Sequence, residues 1–509
     1  MTESANPSVY AASDRATALQ QLRQSLAQRP PRLLIDGVWR PALSAQTLDV
    51  DDPATGETIA RIAAGDGDDI DLAVAAARRA FREGPWPRLP ASRRAAALFA
   101  LADAIERRLH EFALLESLDA GHSLTSIANG DLPLGLRSLR DYAGWATKIA
   151  GEVPMRSADQ RGIDYFLREP IGVAAIVTPW NAPFLMVLQK LAAALAAGCT
   201  VVIKPAELAP LSALYIGELC DEVGIPAGVV NIVTGTGIAA GQALAEHPDV
   251  NLISFTGSTQ VGQSIMAAAA RSNLKRVVLE LGGKSPVMVF ADADLDKAAK
   301  AIVGEIAFKS GQYCAAGSRV YVQASVHEPL LEKMHAAMER IRIGAGYADG
   351  TDMGPMISDA QRRRAQDIID HSLAAGARVL RGGHARSGPG YFFEPTLIAD
   401  ASADMRIAQE EIFAPVLCAT PFADDAGLSA VAALANDSRY GLSAKLWARD
   451  IGTVHGLIGL LETGQVIVNG GGGEATLPFG GVKQSGYGRE NGYVGLSAFT
   501  EIKSVRLGY

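Results

Sequence analysis

Cys314 stands in Gly311-Gln312-Tyr313-Cys314-Ala315-Ala316-Gly317, past a helical segment and ahead of a strand, where small neighbours leave room for a carbonyl carbon to reach sulfur. That is a setting for covalent catalysis, since the thiolate of a cysteine is strongly nucleophilic. The bland alternative is a buried inert thiol, and Cys199, Cys220 and Cys418, all in apolar runs, fit it. Glu280 interrupts the apolar run Val277-Val278-Leu279-Glu280-Leu281 just before Gly282-Gly283. Desolvation raises a carboxyl pKa towards neutrality, which suits a base that takes a proton from water; a salt-bridged structural glutamate is the competing reading. Asn181, in Thr178-Pro179-Trp180-Asn181-Ala182-Pro183, follows an apolar run and opens a helix. Its side chain either caps that helix or donates to the oxyanion formed when a thiolate attacks a carbonyl, a contribution on the order of 3 kcal/mol.

A second group of residues suits a phosphate-bearing ligand. Gly257-Ser258-Thr259-Gln260-Val261-Gly262 lies between the apolar run Asn251–Phe255 and a helical segment. Glycines let backbone approach a phosphate and helix N-termini favour anions, although the spacing departs from the Gly-x-Gly-x-x-Gly fingerprint and an ordinary strand-to-helix turn explains it equally well. Gly235-Thr236-Gly237 is a weaker instance. In Lys204-Pro205-Ala206-Glu207, after the run Thr200–Ile203, Glu207 is placed to accept from both hydroxyls of a ribose and to repel a 2′-phosphate. That argues for NAD over NADP; the competing reading is a solvated loop charge.

The elements that must position these residues are legible as periodic runs. Val173–Val177, Thr200–Ile203, Val229–Val233, Asn251–Phe255 and Arg276–Leu281 are short apolar runs separated by helical segments, the layout of a parallel sheet that binds ligands at its strand ends. A second alternation from Ser285 to about Phe479, with strands at Arg319–Gln323 and Val466–Val468, predicts a second α/β unit. Upstream, Leu33 to Ile62 reads as hairpins at a sheet edge, and Asp71–Arg82 and Ala91–Glu116 read as amphipathic helices. Arg15–Arg29, basic with Leu19, Leu22 and Leu26 on one face, reads as a surface helix rather than a transit peptide. The tail Phe499–Leu507 reads as an exposed strand that needs a partner.

Composition removes several classes of function. At 509 residues with 48% apolar and 20% charged residues, two or three globular units are expected. A net charge of −8 gives no general attraction to nucleic acid or anionic lipid. The longest apolar stretch, Leu191–Ile203, is broken by Gly198 and Thr200 and is too short to span a membrane. Glu3, Asp14 and the lack of an apolar core at the N-terminus argue against a secretory signal and for a cytoplasmic protein. With 4 cysteines in no Cys-x-x-Cys pair and 8 dispersed histidines, neither a disulfide scaffold nor a metal is expected.

From about Leu33 to the C-terminus the chain resembles the aldehyde dehydrogenase superfamily. The resemblance rests on Pro179-Trp180-Asn181, Lys204-Pro205-Ala206-Glu207, Phe255-Thr256-Gly257-Ser258, Glu280-Leu281-Gly282-Gly283-Lys284-Ser285-Pro286, Gly311-Gln312 with Cys314, Glu410-Glu411-Ile412-Phe413, and Pro478-Phe479-Gly480-Gly481 through Gly488-Arg489-Glu490. It implies the hydrolytic, NAD-dependent type, which oxidises an aldehyde to an acid. Cys314 would attack, Asn181 and the Cys314 backbone N–H would hold the oxyanion, and Glu280 would activate water against a thioester. Lys190 and Glu490 would orient Glu280 or relay its proton. Trp180, Lys204, Glu207, Gly237, Phe255, Gly257, Ser258, Gly262, Leu281, Glu411 and Phe413 would surround NAD, with Glu411 on the nicotinamide ribose and Phe413 at the nicotinamide end. Ala182, Met186, Gln189, Phe308, Tyr313, Ala315 and Phe479 would border the substrate channel.

The same resemblance implies an α/β fold with a Rossmann-like NAD-binding domain over 1–140 and 160–282, a catalytic domain over 283–480 and a small β oligomerisation arm over 141–159 and 481–509. That arm would pair with a second subunit in a homodimer or homotetramer. Ala414 stands where the family usually has glycine and Phe499 where many members have tyrosine. Ala182 and Gln189 replace large aromatics of many members, so a widened channel and a bulky apolar or aromatic aldehyde are expected. The Gly-rich loop Asn469–Leu477 carries no arginine for a substrate carboxylate, which weighs against succinic semialdehyde. Among rivals, a CoA-acylating relative is disfavoured by Glu280, a non-catalytic relative by the retention of Cys314, Glu280 and Asn181 together, and a cysteine hydrolase by the lack of a histidine partner motif.

Overall fold

In the computed structural model, which describes residues 12–155 and 162–508, the uninterrupted apolar runs become parallel strands buried on both faces. An 8-stranded sheet has the spatial order Val38–Arg40, Leu33–Ile35, Val230–Ile232, Thr200–Lys204, Val173–Val177, Leu252–Thr256, Arg276–Glu280, Gly486–Tyr487. Its five central strands are parallel. Alternate side chains enter opposite cores: Ala174, Ile176, Val201 and Ile203 pack into one, Val173, Ala175, Val177 and Val202 into the other. From Val173–Val177 the chain steps outward to Val230–Ile232, then returns to lay Leu252–Thr256 on the opposite side. The strand order therefore reverses between Val177 and Phe255, which are register partners, and such a switch point opens a crevice at the carboxyl ends of the strands.

A 7-stranded sheet follows in the order Arg378–Arg381, Thr396–Ala399, Val416–Phe422, Arg319–Gln323, Pro286–Val289, Ser443–Trp447, Gln465–Val468, parallel except for its first pair. The loops at Cys314, Glu411 to Phe413 and Arg439 to Tyr440 all precede strands of this sheet. Its amino-terminal edge thus faces the carboxyl edge of the first.

Local chemistry fixes the connecting helices. Pro183 in the first turn and left-handed Gly198 (φ 95) bound Pro183–Ala197, a helix buried except at Met186. Ser258 caps Thr259–Arg271. Asp66 and Asp69 form a reciprocal capping box at Gly67–Arg82.

Three expectations need correction. Ala91–Glu116 is not one helix but two, Ala91–Glu106 and Leu109–Asp119, because Arg108 leaves helical geometry (φ −118, ψ 19). Only the first expected hairpin, turning at Asp36-Gly37, lies at the edge of the main sheet; Thr47–Asp52 and Glu57–Ala63 form a separate 2-stranded sheet. The tail strand, Thr500–Leu507, already has a partner within the chain, since it pairs antiparallel with Ile163–Pro170.

Helix Ala12–Gln28 takes up the expected Arg15–Arg29 segment except Arg29, which lies just past its end, and is pinned by an Arg23–Asp52 ion pair of 2.5 Å. Among the described residues no helix is long and apolar enough to cross a membrane. Glu3 and residues 156–159 of the expected arm lie outside the described residues.

Candidate active site

The two facing sheet edges enclose a cleft of about 530 Å³. The first sheet contributes Pro179, Trp180 and Asn181 after one switch-point strand, Thr256, Gly257 and Ser258 after the other, and Leu281; the second contributes Cys314, Glu411 and Phe413. Residues distant in sequence meet here because both loops at the switch point open onto it.

Cys314 is half-buried, whereas Cys199, Cys220 and Cys418 are buried. Burial, with Glu411 and Glu280 nearby, pushes the Cys314 thiol up to about 12. The approach to it is constrained. Lys309, Ser310 and Gly311 are consecutive left-handed residues (φ 50, 56 and 68), a conformation that is unfavourable for the first two. They are held by a buried Lys309–Asp131 ion pair of 2.5 Å and by Ser310 Oγ donating to Gly354 O at 2.7 Å.

Asn181 is not the helix cap; that position is Ala182. Its Nδ2 donates to Gln312 O at 2.8 Å, which ties the amide to the loop that carries Cys314. His122 fixes the Asn181 backbone, its Nε2–H donating to Asn181 O at 2.9 Å. Burial, reinforced by Lys309, lowers the His122 pKa to about 3, so the ring is neutral.

Glu280 is 2% exposed, and neither carboxylate oxygen has a hydrogen-bond partner in the described structure. Burial first, then the Glu490 charge, holds its pKa well above the usual carboxylate range. It does not line the cleft. Instead the carboxylate rests where a side chain at Gly480 would sit, 2.6 Å from that Cβ position. Behind it Lys190 Nζ bonds to Glu490 and, at 2.9 Å, to Ser254 Oγ.

On the ligand-binding side, Glu411 accepts the Gly283 N–H at 3.0 Å, and burial raises it to about 7. Phe413, itself left-handed (φ 59), meets Trp180 edge to face at 5.3 Å. Lys204 is buried and bonded to Glu207 at 3.1 Å, outside the cleft lining. Gly237 starts the short helix Gly237–Gly241 alongside Lys204. Phe255 and Gly262 act from behind the lining: the Phe255 ring packs under Gly257, and Gly262 lets the helix approach Leu281, whose Cδ2 lies 2.5 Å from a Cβ built there.

None of the residues expected to border the aldehyde lines this cleft. Phe308 and Tyr313 stack edge to face at 5.4 Å beside the nucleophile's loop, with Ala315 in the loop itself. Met186, Phe308 and Phe479 are half-buried, Ala182 is buried, and Gln189 is buried with its amide donating to Ser138 Oγ. The cleft also holds residues that sequence reading passed over: Gln361, Arg364, Arg439, Tyr440 and Gln484. They come from loops and a helix surface with no motif, and only the fold gathers them. Among the described residues no three His, Cys, Asp or Glu side chains are grouped to hold a metal ion.

The sequence profile of the aldehyde dehydrogenase family matches residues 39–505. The chain belongs to the aldehyde dehydrogenase family. It is thus an oxidoreductase of that family, and full-length relatives support the assignment. The mitochondrial aldehyde dehydrogenase of Equus caballus is 43% identical over 94% of this chain and 95% of its own length. An aldehyde dehydrogenase of Bacillus cereus, solved as an NAD+ complex, superposes with a TM-score of 0.92 at 40% identity, covering 95% of this chain and 98% of that one. The indole-3-acetaldehyde dehydrogenase of P. syringae, solved with NAD+ and IAA, gives 0.94 at 37% identity, covering 98% and 100%.

Proposed function

We propose that the chain oxidises an aldehyde to its carboxylic acid with NAD through a thioester on Cys314. The observation that carries the reading is that Cys314 and Asn181 share one cleft with the switch-point loops of a dinucleotide-type sheet. The cleft fits NAD: Thr259–Arg271 points its amino-terminal end into it, offering unpaired N–H groups to a pyrophosphate, and Glu411 presents a carboxylate to ribose hydroxyls. Trp180, Ser258, Leu281, Glu411 and Phe413 would hold the cofactor, with Lys204 and Glu207 towards its adenosine end. When bound, the nicotinamide supplies a hydride acceptor.

The protein's own steps follow. At neutral pH the sulfur is a thiol, so it passes its proton to solvent water in the cleft as it bonds to the aldehyde carbon and the C=O π electrons move onto oxygen. The second N–H of the Asn181 amide and the Cys314 backbone N–H stabilise the resulting oxyanion. Loss of a hydride restores the carbonyl as a thioester. Glu280, whose burial makes it basic enough, turns from Gly480 towards the cleft and takes a proton from water. The water oxygen then displaces sulfur and the acid leaves. Lys190 and Glu490 orient Glu280 or carry its proton onward.

The substrate proposed is a bulky apolar or aromatic aldehyde, supported by small Ala182 and Ala315 and by a relative that acts on indole-3-acetaldehyde. NADP is the less favoured cofactor because of Glu207. A cytoplasmic location, a homodimer or homotetramer built on the exposed strand Thr500–Leu507, and a division into NAD-binding (1–140, 160–282), catalytic (283–480) and arm (141–159, 481–509) regions belong to the same proposal. An aldehyde panel followed by NADH absorbance, with NAD or NADP and with or without CoA, tests it. Acid formation with NAD and water alone is expected. Product only with added CoA overturns the hydrolytic reading, and equal kcat/KM for acetaldehyde and a ring-bearing aldehyde overturns the substrate class.

A further inference from the structure

Beneath the nucleophile lies an ion pair that the catalytic scheme above does not use. Lys445, on strand Ser443–Trp447, has its ammonium bonded to Glu305 on helix Leu295–Ala307, and the two side chains are 8% and 21% exposed. Both residues reach into the loop that carries Cys314. Lys445 Nζ donates to Ala315 O at 2.9 Å and lies 5.7 Å from the centre of the Tyr313 ring. Glu305 accepts the Gly317 N–H at 2.7 Å and the Tyr313 phenol. The carboxylate fills the place of a missing side chain: a Cβ on Gly317 would stand 2.6 Å from Glu305 Oε2. Residues on both sides of the sulfur, Tyr313 before it and Ala315 and Gly317 after it, are thus fastened to one buried pair.

We propose that Lys445 and Glu305 form a positioning pair that clamps the loop on both sides of Cys314, with Lys445 supplying the positive charge that keeps a thiolate attainable there. The charged groups around the sulfur are Glu411 from the loop before Val416–Phe422, Glu280 from the first sheet, Arg364 and Arg439 across the cleft, and the Glu305–Lys445 pair below. The nearest carboxylates oppose ionisation of the thiol. A neutral pair adds little at long range, but deleting only its cation leaves Glu305 as a further, half-buried anion against the Cys314 loop. Gly317 N–H and Tyr313 O–H are the two donors left to that carboxylate. Removing both charges together restores the balance. A merely structural pair shows no such dependence on charge.

The proposal rests on Cys314 being the nucleophile, yet alkylation of that thiol needs neither aldehyde nor cofactor, so its failure is separable from a failure of aldehyde oxidation. The experiment is the rate of iodoacetamide modification of Cys314 between about pH 7 and 9, located by peptide mass spectrometry, on the full-length chain. Wild type is compared with Lys445→Met, Lys445→Arg and Lys445→Met/Glu305→Gln, and Lys445→Gln replaces Lys445→Met if the latter does not fold. Lys445→Met is expected to slow modification about 10-fold at each pH, one unit of displacement. Lys445→Arg and the double variant are expected within about 2-fold of wild type on the same scale. A Lys445→Met rate equal to wild type, or a double variant as slow as the single one, overturns the proposal.

Discussion

Asn181 and Gln312 are joined by a 2.8 Å hydrogen bond from the Nδ2 amide to the main-chain carbonyl, linking the strand-end loop of one sheet to the Cys314 loop of the other. One amide hydrogen is used in that bond, which leaves the second to donate to the oxyanion in the mechanism proposed above.

Asn181→Ala is accordingly expected to lower kcat by on the order of a hundredfold while leaving the aldehyde KM within about threefold, the mark of a donor used mainly in the transition state. Steady-state NADH formation measures both. An unchanged kcat removes the amide from the mechanism.

On the proposed mechanism Cys314 and Glu280 separate kinetically. Cys314→Ser should abolish NADH production and the acylated peptide seen by mass spectrometry. Glu280→Gln should release one equivalent of NADH per site and then stall, because water is no longer activated. Full steady turnover in the glutamine variant would remove Glu280 from deacylation.

Glu411 titrates near 7 because burial opposes its charge. A carboxylate accepts two ribose hydroxyls better than a neutral acid, so the KM for NAD should rise as pH falls below about 7 and level off above it. Glu411→Gln should show a raised KM with no such slope. A wild-type KM independent of pH from 6 to 8 argues against ribose binding by this residue.

Glu116 affects stability rather than rate. Fully buried, it bonds to Phe184 N–H at 3.1 Å and to Ser212, and burial raises it from 4.5 to about 8. With the folded pKa above the unfolded one, its contribution is fully present below about 4.5 and is lost as pH climbs through about 8. Thermal melts should therefore show wild-type Tm falling more steeply than that of Glu116→Gln between about pH 5 and 8, by at most on the order of 1 kcal/mol per unit. Parallel curves would contradict the assignment.

Gly262 tests the packing under the cleft. Its missing side chain lets Leu281 approach to 2.5 Å of the Cβ position, so Gly262→Val should cost about 1–3 kcal/mol by overpacking. Urea unfolding measures the loss, and Leu281→Ala in the same chain should recover part of it.

What could be read ahead of the structure follows from how each part is stabilised. Val173–Val177 is recognisable end to end because a parallel strand covered on both faces must be apolar throughout, whereas Arg319–Gln323 shows only an apolar centre, Val320-Tyr321-Val322, between polar ends. Helical periodicity, by contrast, runs unbroken through Arg107 and Arg108, where the chain turns to begin a second helix. Of the expected catalytic residues, Cys314 and Asn181 line the cleft and Glu280 does not; each stands out in the sequence by its side-chain chemistry within a motif. Gln361, Arg364 and Arg439 are ordinary surface residues until the second sheet's loops meet the first. The partnership of Glu305 with Lys445 spans 140 residues, and neither side chain is distinctive alone.

The cleft is shared between the carboxyl edge of one sheet and the amino edge of another, so neither half possesses a working centre by itself. Slight relative rotation of the halves would part Cys314 from Asn181 while every strand stayed intact. Warming or dilute denaturant should thus silence the chemistry before helical ellipticity declines, and a molecule bridging both edges should close that gap.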